Sequence, residues 1–443
     1  MLSKSLKNPK LGRQKRRLNL HPHPRPYFPF FVWFLSSLFI VYKLLLIASP
    51  SIMFAELEAT LNIEASEVGT IAAWSLYPLL LFQIPFGILI DKFGPRRITS
   101  AAVLSTALGC LIFAMSYNTV TACFGRFLIG MGSAAAFPYV VKIISNWFKP
   151  KYFAIFLGAT ISLGMLGILA GEILLSSHIL HYGWRLSMIH FSILGFILSG
   201  FYFFTIRDKD PSVRYDMNPK DRNFDFKKSF KKLLKNKQTW ILTIYTAFAE
   251  APLPVFIGLW AIPFLTSVHH LTVEEASLLN GYHLLAVAIF CPIIAYFSTK
   301  IKRRKIFIKL GTLTAMIFVT FILYPVFPHN HISTMISFFI MGIGAAAIPL
   351  SYTVMHEQAV PGLTATSLSI LNTFYALLGA SGDQVIGFFL DHHWSGTYSH
   401  KLRFYTPQSL EDALYRIPIW FALAFIISFF IKETKAKQKY FEK

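Results

Sequence analysis

The stretch Gly87-Ile88-Leu89-Ile90-Asp91-Lys92-Phe93-Gly94-Pro95-Arg96-Arg97 decides the fold. To its left, Val68 to Ile90 is almost free of charge. One acid and three cations then arrive within seven positions, and Gly94-Pro95 forces a turn before the next apolar run. A dense charge cluster between two apolar runs sits where a chain leaves a membrane.

Composition points the same way. Hydrophobic residues make up 54% of the chain and charged residues 14%, against about 25% charge in soluble domains. The apolar residues gather into runs long enough to cross about 30 Å of hydrocarbon, and the short alternating segments of a β-barrel are absent. The expected class is an all-α, polytopic membrane protein. The net charge of +21 is spread over loops and tails rather than one face, which argues against nucleic acid as a partner. Cys110, Cys123 and Cys291 lie inside apolar runs without metal spacing, so neither a metal nor a cofactor is expected. No metal cluster, nucleophile motif or phosphate-binding Gly loop points to an enzyme or to ATP as the energy source. Residues 1–26 are basic and polar, and the first apolar run is too long for a signal peptide.

Twelve spans are predicted, near 27–49, 68–90, 98–117, 120–147, 153–177 and 185–206, then 239–265, 278–299, 306–327, 332–357, 363–390 and 415–432. The expected organisation is a basic tail (1–26), a six-helix bundle (27–206), a basic linker (207–238), a second six-helix bundle (239–432) and a short tail (433–443). Alternate connections hold Lys92/Arg96/Arg97, Lys149/Lys151, the linker, Lys300/Lys302/Arg303/Arg304/Lys305 and the Lys-rich end. The intervening connections hold Glu56/Glu58/Glu64/Glu67 and Glu274/Glu275, or no cation. Positive charge therefore marks one side, and both termini are expected on it, in the cytoplasm of a cell with this protein in its inner membrane. The connection 356–362 carries no cation and is the weak point of that pattern.

The two bundles repeat at an offset of about 210 residues, as parallel duplicated halves do. Gly130-Met131-Gly132 with Ala134–Ala136 and Pro138 mirrors Gly342-Ile343-Gly344 with Ala345–Ala347 and Pro349. Thr299-Lys300-Ile301-Lys302-Arg303-Arg304-Lys305 occupies the slot of Asp91–Arg97, keeping cations and losing the acid and the glycine.

Gly87, Asp91, Lys92, Gly94, Arg96 and Arg97 fall on the pattern of the loop between the second and third helices of major facilitator superfamily transporters, which this chain resembles. Pro95 stands where a cation is common. Residues 30–206 further resemble a bacterial branch of phagosomal nutrient transporters, similar to the lysosomal dipeptide transporter of animals. That likeness rests on Tyr42–Met53, Gln83–Gly87, Gly130–Phe137, Asn146–Phe148, Gly164–Gly167 and Gly183–Arg185. An acid commonly follows the Tyr of the first helix in that branch, and here Lys43 does. The resemblance implies a monomeric secondary transporter working by alternating access on an amino acid, short peptide or similar small polar metabolite. Proton-coupled uptake is the leading expectation, proton-antiport efflux of a siderophore or metabolite the alternative, and a non-transporting sensor or scaffold the reading from another class.

Asp91 is read as a latch, accepting from a helix N-terminus and pairing with Arg96 or a distant Arg; the plain alternative is that the loop marks topology and holds lipid phosphate. Arg126 lies inside the fourth span, where an Arg faces a cavity or partner or snorkels outward. In the superfamily, the Arg-x-x-x-Gly-x-Gly pattern it heads is implicated in coupling. Glu172, Glu250 and Asp383 are the intramembrane carboxylates able to carry a proton or pair with a cation. Lys43 is read as a substrate-anion ligand or as the neutraliser of Glu250 or Asp383. Tyr42, Trp74, Tyr77, Tyr139, Lys142, Trp260, Tyr282, His283, Tyr352, Asn372 and Tyr375 complete the expected polar-aromatic cavity set, each as packing or as ligand.

Overall fold

A computed structural model describes residues 27–63, 65–208, 225–324, 331–360, 362–392, 398–399, 402–403 and 406–437. The basic tail 1–26, most of the linker (209–224), Glu64 and the last six residues lie outside the described set. Among the described residues, ten helices are long and apolar enough to span a membrane. We label them, with two more, α1 to α12 in chain order. The first half holds α1 (Phe28–Ile52), α2 (Glu67–Phe93), α3 (Pro95–Ala114), α4 (Thr119–Trp147), and α5 and α6, the two arms of Phe153–Thr205. The second holds α7 (Lys237–Val268), α8 (Glu274–Ile301), α9 (Lys305–Leu323), α10 (His331–Gln358), α11 (Thr364–His392) and α12 (Arg416–Ser428). Apart from a two-residue antiparallel pair, Tyr398–Ser399 with Leu402–Arg403, the described fold is helical.

The halves are packed alike. In the first, α1 lies on α5, and α3 on α4 and α6; in the second, α7 lies on α11, and α9 on α10 and α12. The matching glycines show why. A Cβ at Gly130 would strike the Ser75 carbonyl, and one at Gly342 would meet the His283 carbonyl at 2.5 Å. Each glycine lets α4 or α10 press against the backbone of α2 or α8, where any side chain would hold them apart. Between the halves, α2 runs along α11 and α5 along α8.

Two departures from the sequence reading have simple causes. The connection at 178–183, read as a loop, is helical up to Gly183, whose φ of 73° breaks the run. That backbone region suits glycine, and the new N-terminus is met by Glu56, whose Oε2 accepts from the Trp184 N–H at 2.8 Å. The linker contains a helix, Phe226–Lys235, capped by Asp225, which accepts from the Lys228 N–H at 3.2 Å. Its lysines 227, 228, 231, 232 and 235 share one face by 3.6-residue spacing, with Phe226, Phe230, Leu233 and Leu234 on the other.

Candidate functional site

The opening loop is the hinge of the molecule's inter-half contacts. Asp91 ends α2 with its side chain wholly shielded. Its Oδ1 accepts from Lys142 Nζ at 2.5 Å and from the Ala365 N–H at 3.2 Å. Its Oδ2 accepts from both the N–H and the hydroxyl of Thr366, each at 2.7 Å. Asp91 thus caps the first turn of α11, across the boundary between halves, where unpaired N–H groups and the helix dipole favour an anion. The helix N-terminus is as expected; the cation is not. Arg96 turns away, donating from its backbone N–H to Asp208 Oδ1 at 2.8 Å and from Nε to the Phe203 carbonyl at 2.5 Å. Lys142, read as a cavity residue, is Asp91's ion-pair partner instead. Lys92 and Arg97 are exposed, and Gly94 (φ 90°) makes the turn between α2 and α3.

One turn inward from Asp91, Gly87 lets the α11 backbone close in: a Cβ there would lie 2.5 Å from Ser369 Oγ and 3.0 Å from the Ala365 carbonyl. Gln83 follows on the same face. It is buried, and among the described residues neither of its amide atoms has a hydrogen-bond partner; Ser369 Oγ has none either. A second seam joins α5 to the C-terminal half: Ser162 donates to the Ala288 carbonyl at 2.5 Å, and Phe153 stacks on His356 at 3.9 Å. At mid-depth the Phe137 and Tyr352 rings meet at 5.0 Å.

The intramembrane charges are segregated. Arg126 is fully buried and meets no carboxylate among the described residues. It donates to the Leu46 carbonyl at 2.7 Å, Ser75 Oγ at 2.9 Å and Ser49 Oγ at 3.3 Å. Pro50, four residues beyond Leu46 in α1, has no N–H, so the Leu46 carbonyl lacks its helical donor and Arg126 supplies one. It neither snorkels nor pairs with an acid. Lys43 makes no hydrogen bond or ion pair among the described residues, so it neutralises neither Glu250 nor Asp383. Lys43 lies two turns from Ser36 on one face of α1, the face from which Ser36 reaches Tyr139 of α4.

Two of the expected carboxylates, Glu250 and Asp383, stand in the other half. Glu250 Oε2 accepts from the Tyr352 hydroxyl at 2.6 Å, and Tyr352 also lies 3.3 Å from Asn372 Oδ1, tying α7, α10 and α11 together. Tyr375 lies on α11 near Glu250. Asp383 faces Trp260, yet neither Asp383 Oδ1 nor Trp260 Nε1, both buried, meets a partner at full hydrogen-bond geometry among the described residues. Between Glu250 and Trp260, α7 widens into a π-helical stretch, Leu253–Trp260. Glu172 falls on α5, but its side chain lies outside the described residues.

Several expected cavity residues are packing. Tyr42 is buried, donating to the Phe191 carbonyl at 2.8 Å, and Tyr139 is buried against Tyr202 at 5.7 Å. His283 is buried where its carbonyl meets Gly342. Trp74 and Tyr77 pack edge-on at 6.4 Å and are largely exposed, and Tyr282 is half-buried.

Among the acids that escaped the sequence reading, two play matching parts. Asp208, just past α6, caps α3 through the Arg96 N–H. Glu433, past α12, caps α9, accepting from the N–H groups of Arg304 and Lys305 at 2.9 Å each. The signal was an acid directly after the last span of each half, in segments otherwise basic.

The chain is similar to a hexuronate transporter of Bacillus subtilis, 23% identical over 227 residues, covering 50% of this chain and 52% of that protein. It is similar to two Escherichia coli proteins named for galactarate/D-glucarate and for L-galactonate transport. These are 27% and 24% identical, over 35% and 37% of this chain and 36% of each relative. The matches thus span about half or less of those relatives. A family model described as the Major Facilitator Superfamily matches residues 30–382. The chain therefore belongs to the Major Facilitator Superfamily, a family of transporters rather than enzymes, as a multi-pass membrane protein.

Proposed function

We propose that this protein is a secondary active transporter of a small carboxylate-bearing metabolite, working by alternating access and held here with its basic end closed. The observation that carries the reading is Asp91 of one half capping α11 of the other. A rocking transporter needs contacts that exist in one state and break in the other. The seam supplies both signs. Asp91 draws the halves together through charge-assisted bonds, while buried, unpartnered Gln83 and Ser369 oppose closure, each at about 1–3 kcal/mol. Positive charge at the latched end assigns that end to the cytoplasm, so the state is outward-facing.

The substrate class rests on Lys43, an intramembrane ammonium without a counter-ion among the described residues, and on relatives named for sugar acids. Amino acids and short peptides share the carboxylate but not those names. Glu250 and Asp383, without cations, are the sites read as carrying a coupling proton, with Tyr352 and Asn372 orienting Glu250.

The test is uptake of a radiolabelled hexuronate into proteoliposomes under an imposed pH gradient. Proton entry with the sugar acid is expected, with uptake lost in Lys43→Met. Export against proton entry would replace symport by antiport. Unchanged uptake in Lys43→Met would remove the carboxylate assignment.

A further inference from the structure

The second copy of the charged loop has become something other than a latch. Where the first copy has Gly94, Pro95 and, six residues on, Ala101, the second has Lys302, Arg303 and Lys309. These line an open groove of about 610 Å³ between the α8–α9 turn and the segment after α12, together with Lys305, Lys435 and Glu433. Glu433 offsets only one of these five cations. Its carboxylate is engaged by four backbone N–H groups, those of Arg304, Lys305, Thr434 and Lys435, at 2.9 to 3.1 Å. Burial acts to raise its proton affinity, but these four donors hold the carboxyl below the usual range, so it stays an acceptor already in use. The groove therefore keeps a surplus of positive charge.

The walls are built and amphiphilic. Lys309 lies with its ammonium 3.5 Å over the Phe429 ring, and Lys305 donates to the Phe429 carbonyl at 2.6 Å, fixing both stems. The Thr434 hydroxyl is tied to Glu357, which holds the chain beside Lys435 in place. At the rim, Ile301 and Ile306 are 53% and 43% exposed, at the ends of two membrane helices. Clustered cations beside exposed isoleucines at a membrane boundary match a molecule with an anionic head and an apolar tail.

We propose that this groove seats the phosphate-bearing headgroup of an anionic phospholipid. The test is native mass spectrometry of the full chain in detergent with an equimolar mixture of phosphatidylglycerol and phosphatidylcholine. Wild type retains phosphatidylglycerol preferentially. The triple variant Lys302→Gln/Arg303→Gln/Lys309→Gln binds it at least roughly tenfold more weakly, given the worth of each cation at an anionic surface, and phosphatidylcholine adducts are unchanged. Lys92→Gln/Arg97→Gln, in the first copy, keeps the preference. Lys302→Glu, an exposed single change, gives the same direction should the triple variant fail to fold. Equal retention in all variants, or equal loss in the first-copy variant, overturns the site. Complete displacement of the lipid by millimolar inorganic phosphate overturns the lipid as its occupant.

Discussion

The two charged loops, Gly87–Arg97 and Thr299–Lys305, hold matching places in the two halves and do opposite things. In the first, the acid reaches out: Asp91 crosses to the other half and caps α11. In the second, the cation folds in. Arg304 is wholly buried and pairs with Glu357 of its own half at 2.9 Å, with Ser298 and Thr299 hydroxyls completing its shell. Both loops share one supporting device, an acid from beyond the sixth helix capping the third: Asp208 in one half, Glu433 in the other. The difference teaches that duplication conserved the scaffold of the loop and divided its labour. One copy is placed to govern the contact between halves, the other to hold its own half together and present cations outward.

The largest effect should come from the inward-folded copy. Glu357→Ala leaves Arg304 as a buried, unpaired charge, which costs on the order of 3–5 kcal/mol. A thermal unfolding scan in detergent should show a large fall in Tm; a near-wild-type Tm would break the contrast from that side. Asp91→Asn comes next, and its effect should fall on conformation rather than folding. Losing charge-assisted bonds is worth about 1.5–3 kcal/mol, so the closed population should drop roughly 10–100-fold and uptake should slow, with Tm little changed. The smallest effects sharpen the shared device. Asp208→Asn and Glu433→Gln each remove a helix-capping carboxylate, worth about 0.5–2 kcal/mol. For Glu433 the sign is fixed by its lowered proton affinity. Its contribution is full above the ordinary carboxyl value of 4.5 and is lost as pH falls through the lower folded value. Wild type should therefore lose stability below that pH in excess of Glu433→Gln, measured by denaturation at stepped pH.

Much of this was legible in the sequence. The spans followed from apolar runs, the duplication from the glycine pairs at Gly130/Gly132 and Gly342/Gly344, and Asp91's meeting with a helix N-terminus from the family resemblance. Partner identity was not legible. Lys142 and Arg96 are both cations near Asp91 in the fold, and only the packing of α4 beside α2 and α11 decides between them. Arg126 shows a case that could have been solved: Pro50 deprives the Leu46 carbonyl of its helical N–H, leaving it to side-chain donors, Ser49 and the buried Arg126. Tyr42 and Tyr139, read as packing or as ligand, are packing, because α1 and α4 each have a cavity side and a bundle side and these rings lie on the latter. A periodicity argument without neighbours cannot choose between those sides.

The most direct test of the account is the reactivity of a cysteine placed on the seam that Asp91 closes. Ser369→Cys, in a background with Cys110, Cys123 and Cys291 replaced, puts a thiol beside Gly87 of the other half. Its labelling by a membrane-impermeant maleimide, applied from the basic end in oriented vesicles, reports how often the halves part. Labelling at least roughly tenfold faster in Asp91→Asn than in its parent is the predicted result. Equal rates in the two proteins would contradict the claim that the first charged loop holds the molecule closed.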